Sequence, residues 1–155
     1  MLLDRPIFDD DHDLYRAASR EFFEKDVAPH HDAWEAAGVV PRDIWTKAGE
    51  LGHLCHAVPE EYGGAGIDDF RFPAVFLEEQ SMALASGPGF AVHSDIVMHY
   101  VLSLGTPEQK ERWLPKMVTG ELIGAMAMTE PGAGSDLAGV ATRAVRDNGT
   151  YVLNG

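Results

Sequence analysis

Apolar residues recur at helical spacing through most of the chain and give way near its end to short runs of strand-like alternation. Leu14, Ala17, Ala18, Phe22 and Val27 return at helical spacing, a stripe that one face of a helix can bury. Asp9, Asp10, Asp11 and Asp13 crowd the start of that stripe, where the helix dipole favours negative charge. The first helix is predicted to run through Trp34 to Ala37, with a kink or break at Pro29 and an end at Gly38. Pro41 suits the first turn of a second helix carrying Ile44, Trp45, Ala48 and Leu51, closed by Gly52. Residues 57–66 hold one proline and three glycines and read as a loop.

A third helix, capped by Asp68 or Asp69, is expected to bury Phe72, Val75, Phe76, Leu77, Met82 and Leu84, with Glu78 and Glu79 on its wet side. Ser86-Gly87-Pro88-Gly89 breaks it, and a fourth helix follows from Phe90 through Ile96, Val97, Tyr100, Val101 and Leu104 to Gly105. Thr106-Pro107-Glu108-Gln109 combines a capping hydroxyl, proline at the first helical position and a capping-box glutamine, so a fifth helix starts there and runs to about Met117. The apolar run Leu122 to Met128 then reads as a strand opening into a glycine-rich loop. Val140 to Val145 and Thr150 to Leu153 are predicted strands about the hairpin signal Asp147-Asn148-Gly149. The expected organisation is a helical domain over 1–120 and the start of a β domain over 121–155. The chain stops on Asn154-Gly155, a dipeptide that normally introduces another strand, so a longer protein is expected.

Composition narrows the class. At 155 residues with 45% hydrophobic content, the chain can build one real core. Twenty-five acidic against twelve basic residues leave a formal charge of -13, which argues against nucleic acid and anionic membranes as partners. No apolar run is long enough to cross a bilayer. A single cysteine, Cys55, among apolar neighbours suits a buried thiol in a reducing compartment. The start Met1-Leu2-Leu3-Asp4 lacks the character of a signal or transit peptide, which gives a cytoplasmic expectation.

The seven histidines include the close pairs His30-His31, His53 with His56, and His93 with His99, yet no paired-cysteine or HExxH pattern accompanies them. Packing or surface roles are expected, and no metal. Trp34, Trp45 and Trp113 are expected as core or interface anchors. The segment Thr129-Glu130-Pro131-Gly132-Ala133-Gly134-Ser135-Asp136 is the place to hold a ligand, because its glycines let backbone approach closely and its hydroxyls donate or accept. It is neither a P-loop, lacking the Lys-Ser/Thr pair, nor a Rossmann turn, lacking the βαβ unit. Composition alone weighs a structural turn and a ligand loop evenly.

Residues 127–139, Ala-Met-Thr-Glu-Pro-Gly-Ala-Gly-Ser-Asp-Leu-Ala-Gly, resemble the first signature of the acyl-CoA dehydrogenases at essentially every position. Val58 to Gly64 is similar to that family's early glycine loop and Gly105 to Lys110 to its helix start. Glu78-Glu79-Gln80, Ser86 to Phe90, His93-Ser94 and Ile96 to Met98 resemble its long-chain branch.

The resemblance implies an α-helical N-terminal domain, the first strands of a middle β-barrel, and a C-terminal four-helix bundle that this chain does not hold. It implies FAD between barrel and helices, a tetrameric assembly, an acyl-CoA substrate and electron-transfer flavoprotein as electron acceptor. By carry-over, Met126, Met128, Thr129, Gly134 and Ser135 contact the cofactor, and Ser135 also neighbours the CoA thioester. Met126 stands where many relatives carry an aromatic residue, so only its backbone contact transfers. The implied reaction is α,β-dehydrogenation, with a glutamate base expected beyond Gly155, so none of the catalytic groups lies in this chain and Glu130 supports the loop.

The helices around Phe72 to Leu84 and Phe90 to Leu104 could wall a slot for the acyl tail, widened by the Gly87-Pro88-Gly89 break, although ordinary core packing demands the same residue types. Two other readings remain: a relative that passes electrons to oxygen, as an acyl-CoA oxidase or flavin monooxygenase does, and a non-catalytic helical assembly module.

Overall fold

A computed structural model describes residues 6–155, and the Met1 to Asp4 stretch behind the cytoplasmic expectation lies outside them. Contacts divide the chain into two compact units, Met1–Ala125 and Met126–Gly155.

The first unit is helical. Helix α1 (Asp10–Phe22) starts in a capping box between Asp9 and His12. It widens into a π-helical turn at Phe23–Val27 before α2 (Ala28–Ala37). Pro29 lies one residue into α2, and the turn before it is closed by an Ala28 N–H bond to the Phe23 carbonyl, five residues back. A proline ring clashes with the carbonyl four residues earlier, and this wider turn gives it room. Gly38 ends α2 in the left-handed conformation at φ 70°.

Helix α3 (Arg42–Glu50) buries Ile44, Trp45 and Ala48, but Leu51 is exposed, since it caps the helix instead of continuing its apolar face. Helix α4 (Arg71–Met82) packs along α1. A π-helical segment, Val92–Val97, leads into α5 (Met98–Leu104), which packs on α6 (Pro107–Val118). Thr106 and Gln109 form both halves of the expected capping box on α6.

The core is aromatic at its centre. Phe23 meets Phe76 at 4.8 Å between ring centroids, Phe76 meets Phe90 at 5.5 Å, and Trp45 meets Phe90 at 4.7 Å. Gly120 lets the chain leave α6 beneath α3: its φ is 74°, and a Cβ there would stand 2.2 Å from the Trp45 carbonyl oxygen.

Helix α4 departs from the expected face. Glu79 is 4% exposed and bonded to Arg20 Nε at 2.8 Å and Arg16 Nη1 at 3.0 Å, whereas Met82 and Leu84 are 79% and 82% exposed. Two arginines on α1 draw the acid inward. The helix therefore turns its carboxylate to α1 and its late apolar residues outward.

In the second unit, β1 (Arg143–Asp147) pairs antiparallel with β2 (Thr150–Asn154), with Asp147 opposite Thr150. Asn148 and Gly149, at φ 46° and 85°, make the two-residue turn that the sequence announces. Residues 122–128, expected as a strand, belong to neither helix nor strand. A ladder requires a partner strand, and none pairs with them among the described residues. The chain is thus mainly helical with a short antiparallel hairpin at its end. Among the described residues, no helix is long and apolar enough to cross a membrane.

Candidate functional site

The glycine-rich loop is built by its own acid. Glu130 and Ala133 exchange both backbone hydrogen bonds, at 3.0 and 3.1 Å, so Pro131 and Gly132 form a tight turn. The Glu130 carboxylate then accepts the Ala141 amide at 2.8 Å, the Thr142 amide at 3.0 Å and the Thr142 hydroxyl. The Thr142 hydroxyl, followed by these two amides, holds its pKa below the usual carboxylate range. Asp136 caps the short 3₁₀ turn Leu137–Gly139 by accepting the Ala138 amide at 3.1 Å. Both acids are thereby committed to the loop's shape.

The hydroxyls are not engaged in this way. Thr129 and Ser135 are exposed, and neither side chain hydrogen-bonds among the described residues. A Cβ on Gly132 or Gly134 would meet open space, so the packing of this chain does not require glycine at either position. Met126 is half-buried and Met128 is 48% exposed. Met126, Met128, Thr129, Gly134 and Ser135 therefore lie along one exposed run, and the Glu130–Ala133 turn folds it back on itself.

The helical unit carries a second feature. Between the end of α4 and the start of the π segment lies an open groove of about 410 Å³, lined by Leu77, Gln80, Leu84, Pro88, Gly89 and Val92 among others. Leu84, one of the lining residues, takes φ 53° and is 82% exposed. Gln80 is buried beneath and donates to the carbonyls of Ala85 and Pro88, each at 2.8 Å.

Five histidines, His12, His31, His53, His56 and His93, are buried. Burial pushes His53 and His56 down to about 4, so both are neutral at pH 7, and Tyr15 Oη lies 2.7 Å from His56 Nε2 and 3.2 Å from His53 Nδ1. His93 accepts the Gly124 amide at Nδ1, so its Nε2 carries the proton and donates to the Met117 carbonyl at 3.0 Å. Cys55 lies 3.5 Å from the same Nε2, and burial pushes its thiol up to about 12.

Among the described residues, one trio of possible metal ligands converges within 4.8 Å: His31, Asp32 and Glu35. His31 Nε2 already accepts the Gly87 amide at 2.8 Å, which leaves the proton of the neutral ring on Nδ1. The ring therefore offers no free lone pair, and the trio makes a poor metal site.

Residues 9–121 match the family model for the acyl-CoA dehydrogenase N-terminal domain. The chain is 50% identical over 151 residues to the mitochondrial long-chain specific acyl-CoA dehydrogenase of Mus musculus, covering 97% of this chain and 35% of that protein. It superposes on the crystal structure of acyl-CoA dehydrogenase from Geobacillus kaustophilus with TM-score 0.89 and 51% identity, over 96% of this chain and 39% of that one. It also superposes on a glutaryl-CoA dehydrogenase from Mycobacterium smegmatis in complex with FADH2, with TM-score 0.86 and 29% identity, over 97% and 39%. The chain thus spans little more than a third of the length of the proteins it matches.

The expected cytoplasmic location is corrected by these comparisons, because the mouse, rat and pig long-chain relatives are mitochondrial. The expectation rested on the character of four terminal residues, and compartment is set by address segments that leave no imprint on a folded core.

Proposed function

The chain belongs to the acyl-CoA dehydrogenase family, and on that premise we propose that it is the N-terminal part of an FAD-dependent enzyme that dehydrogenates long-chain acyl-CoA thioesters between the α and β carbons. Residues 1–120 are its helical domain and 121–155 the opening of its β-barrel. One observation carries the reading: the loop commits both acids to its own fold, leaves Thr129 and Ser135 exposed, and has open space beside Gly132 and Gly134.

Those groups suit FAD. Backbone at Met126 and Met128 with the Thr129 hydroxyl fits the polar edge of a flavin ring, while Ser135 and the close backbone approach at Gly134 fit phosphate and the neighbouring thioester. When bound, FAD supplies a two-electron acceptor for the hydride that leaves the β-carbon. The residues of this chain orient that group and add no charge. The Glu130 carboxylate is engaged by the Ala141 and Thr142 amides as a loop support, and the base is the glutamate that the family resemblance implies for the full-length enzyme.

The groove beside Leu84, Pro88 and Val92 receives the acyl tail. Electrons pass to an electron-transfer flavoprotein, and the assembly is a homotetramer. In the full-length protein, a long-chain acyl-CoA added without oxygen should bleach the flavin absorbance. Absence of bleaching with every acyl-CoA overturns the reading, and turnover that yields peroxide in place of reduced electron-transfer flavoprotein converts it to an oxidase.

A further inference from the structure

Three backbone groups of the segment 85–88, most of which lines the groove, are held by buried side chains from two different helices. Gln80, on α4 and 6% exposed, donates from Nε2 to the carbonyls of Ala85 and Pro88 at 2.8 Å each. His31, on α2 and also 6% exposed, accepts the Gly87 amide at 2.8 Å. The fit is close, since a Cβ on Gly87 would stand 3.0 Å from His31 Nε2. A primary amide directs two N–H donors from one nitrogen, and a neutral imidazole supplies the matching acceptor.

These bonds are not what ends α4. That helix closes through its own backbone, Ala83 N–H to the Glu79 carbonyl and Leu84 N–H to the Ser81 carbonyl. What Gln80 and His31 fix is the path of residues 85–88 after the helix, where Leu84 has already taken a left-handed conformation that a leucine rarely adopts. Such a conformation persists only where its surroundings over-determine it. The result is a wall that runs through Ala85, Ser86 and Pro88, with Gly89 leaving open space beside it.

We propose that Gln80 and His31 are specificity-determining positioning residues: by holding residues 85–88 in place they set the reach of the groove, and with it the acyl-chain length that the enzyme prefers. The inference rests on the groove being the acyl-tail slot. Without Gln80 two buried carbonyls lose their donors, and the loop must move to hydrate them. Movement of that kind changes the groove itself, which a long acyl tail fills more than a short one, so long and short substrates respond unequally.

The test is the ratio of kcat/KM for a sixteen-carbon to an eight-carbon acyl-CoA in the full-length holoenzyme. Gln80→Leu and His31→Leu are expected to lower that ratio about tenfold or more, the scale at which pocket shape discriminates apolar groups. His31→Gln, whose carbonyl can accept the Gly87 amide, is expected to hold it near the wild-type value. Flavin content and Tm are read alongside. A ratio unchanged in Gln80→Leu and His31→Leu, with only Tm lowered, overturns the proposal and leaves the pair as fold supports. Should the leucine variants fail to fold, Gly87→Ala displaces the same loop from the other side, and an unchanged ratio there overturns the proposal equally. Wild-type enzyme with no activity on either substrate overturns the acyl-CoA reading itself, an outcome distinct from an unchanged ratio.

Discussion

Replacing Glu79 by glutamine tests the least expected feature of the helical unit. The carboxylate is 4% exposed, with Arg16 16% and Arg20 55% exposed, and it accepts from both guanidinium groups. Breaking a buried pair by removing one partner costs about 3–5 kcal/mol. Two facts reduce that here. Arg20 is more than half in water, where a pair is worth about 0–1 kcal/mol, and Arg16 keeps Glu78 at 2.7 Å. The expected loss for Glu79→Gln is therefore about 2 kcal/mol at pH 7.

Urea denaturation followed by tryptophan fluorescence reads this directly, because Trp34, Trp45 and Trp113 all lie in the helical unit. The sign with pH is a second check. Burial raises the Glu79 carboxyl, but the bonds from Arg20 and Arg16 outweigh it and hold it below the usual carboxylate range. A depressed acid contributes stability above its unfolded pKa and loses it as pH falls through the folded value. The gap between wild type and Glu79→Gln should thus narrow as pH falls below the ordinary glutamate range. A loss under about 0.5 kcal/mol at pH 7, or a gap independent of pH, refutes the paired geometry.

Gly64→Ala is expected to cost more than about 3 kcal/mol, because its Cβ would stand 2.0 Å from the Val58 carbonyl oxygen, whereas Gly63→Ala meets nothing within 4 Å and costs about 1 kcal/mol for its φ of 81°. Urea midpoints of the two variants compare them, and equal losses contradict the contact. Cys55, with no exposure and its thiol pushed up to about 12, should react with a thiol reagent only after unfolding. Fast labelling of native protein at neutral pH would contradict its burial. His53 and His56, held down to about 4 by burial, contribute stability that is full above pH 6.5 and is lost as pH falls toward 4. Asp95, pushed up to about 6 by burial, opposes them over much of the same window, so unfolding near pH 5 should take up about one proton net. A urea midpoint flat from pH 7 to 4 would show that the histidines are not buried neutral.

What could be read from the sequence divides by range. The Thr106–Gln109 capping box, the Gly38 stop and the Asn148-Gly149 turn are satisfied within a few residues, so their signals and their structures coincide. The loop at 129–136 is closed over a similarly short range, Glu130 pairing with Ala133 and its carboxylate reaching only to Ala141 and Thr142. Glu79 was not, because its partners stand 59 and 63 positions away, and a local pattern scores any glutamate as wet. The strand expected over 122–128 failed on the same ground, since alternation can nominate a strand but only a partner makes one.

The groove shows both cases in one place. Its break at Gly87-Pro88-Gly89 is visible in the composition, yet what shapes the opening is Gln80 reaching five and eight residues ahead and His31 reaching 56. Glu79 and Gln80 are neighbours on one helix. The first ties α4 to α1 and the second ties it to the loop that follows, so a rotation of α4 that freed Glu79 would also withdraw the amide from Ala85 and Pro88. Loss of the ion pair and loss of the groove wall are therefore coupled events. The Glu79→Gln variant should blunt the chain-length ratio as well as lower stability, and Gln80→Leu, which spares the arginines, should move the ratio more than the midpoint.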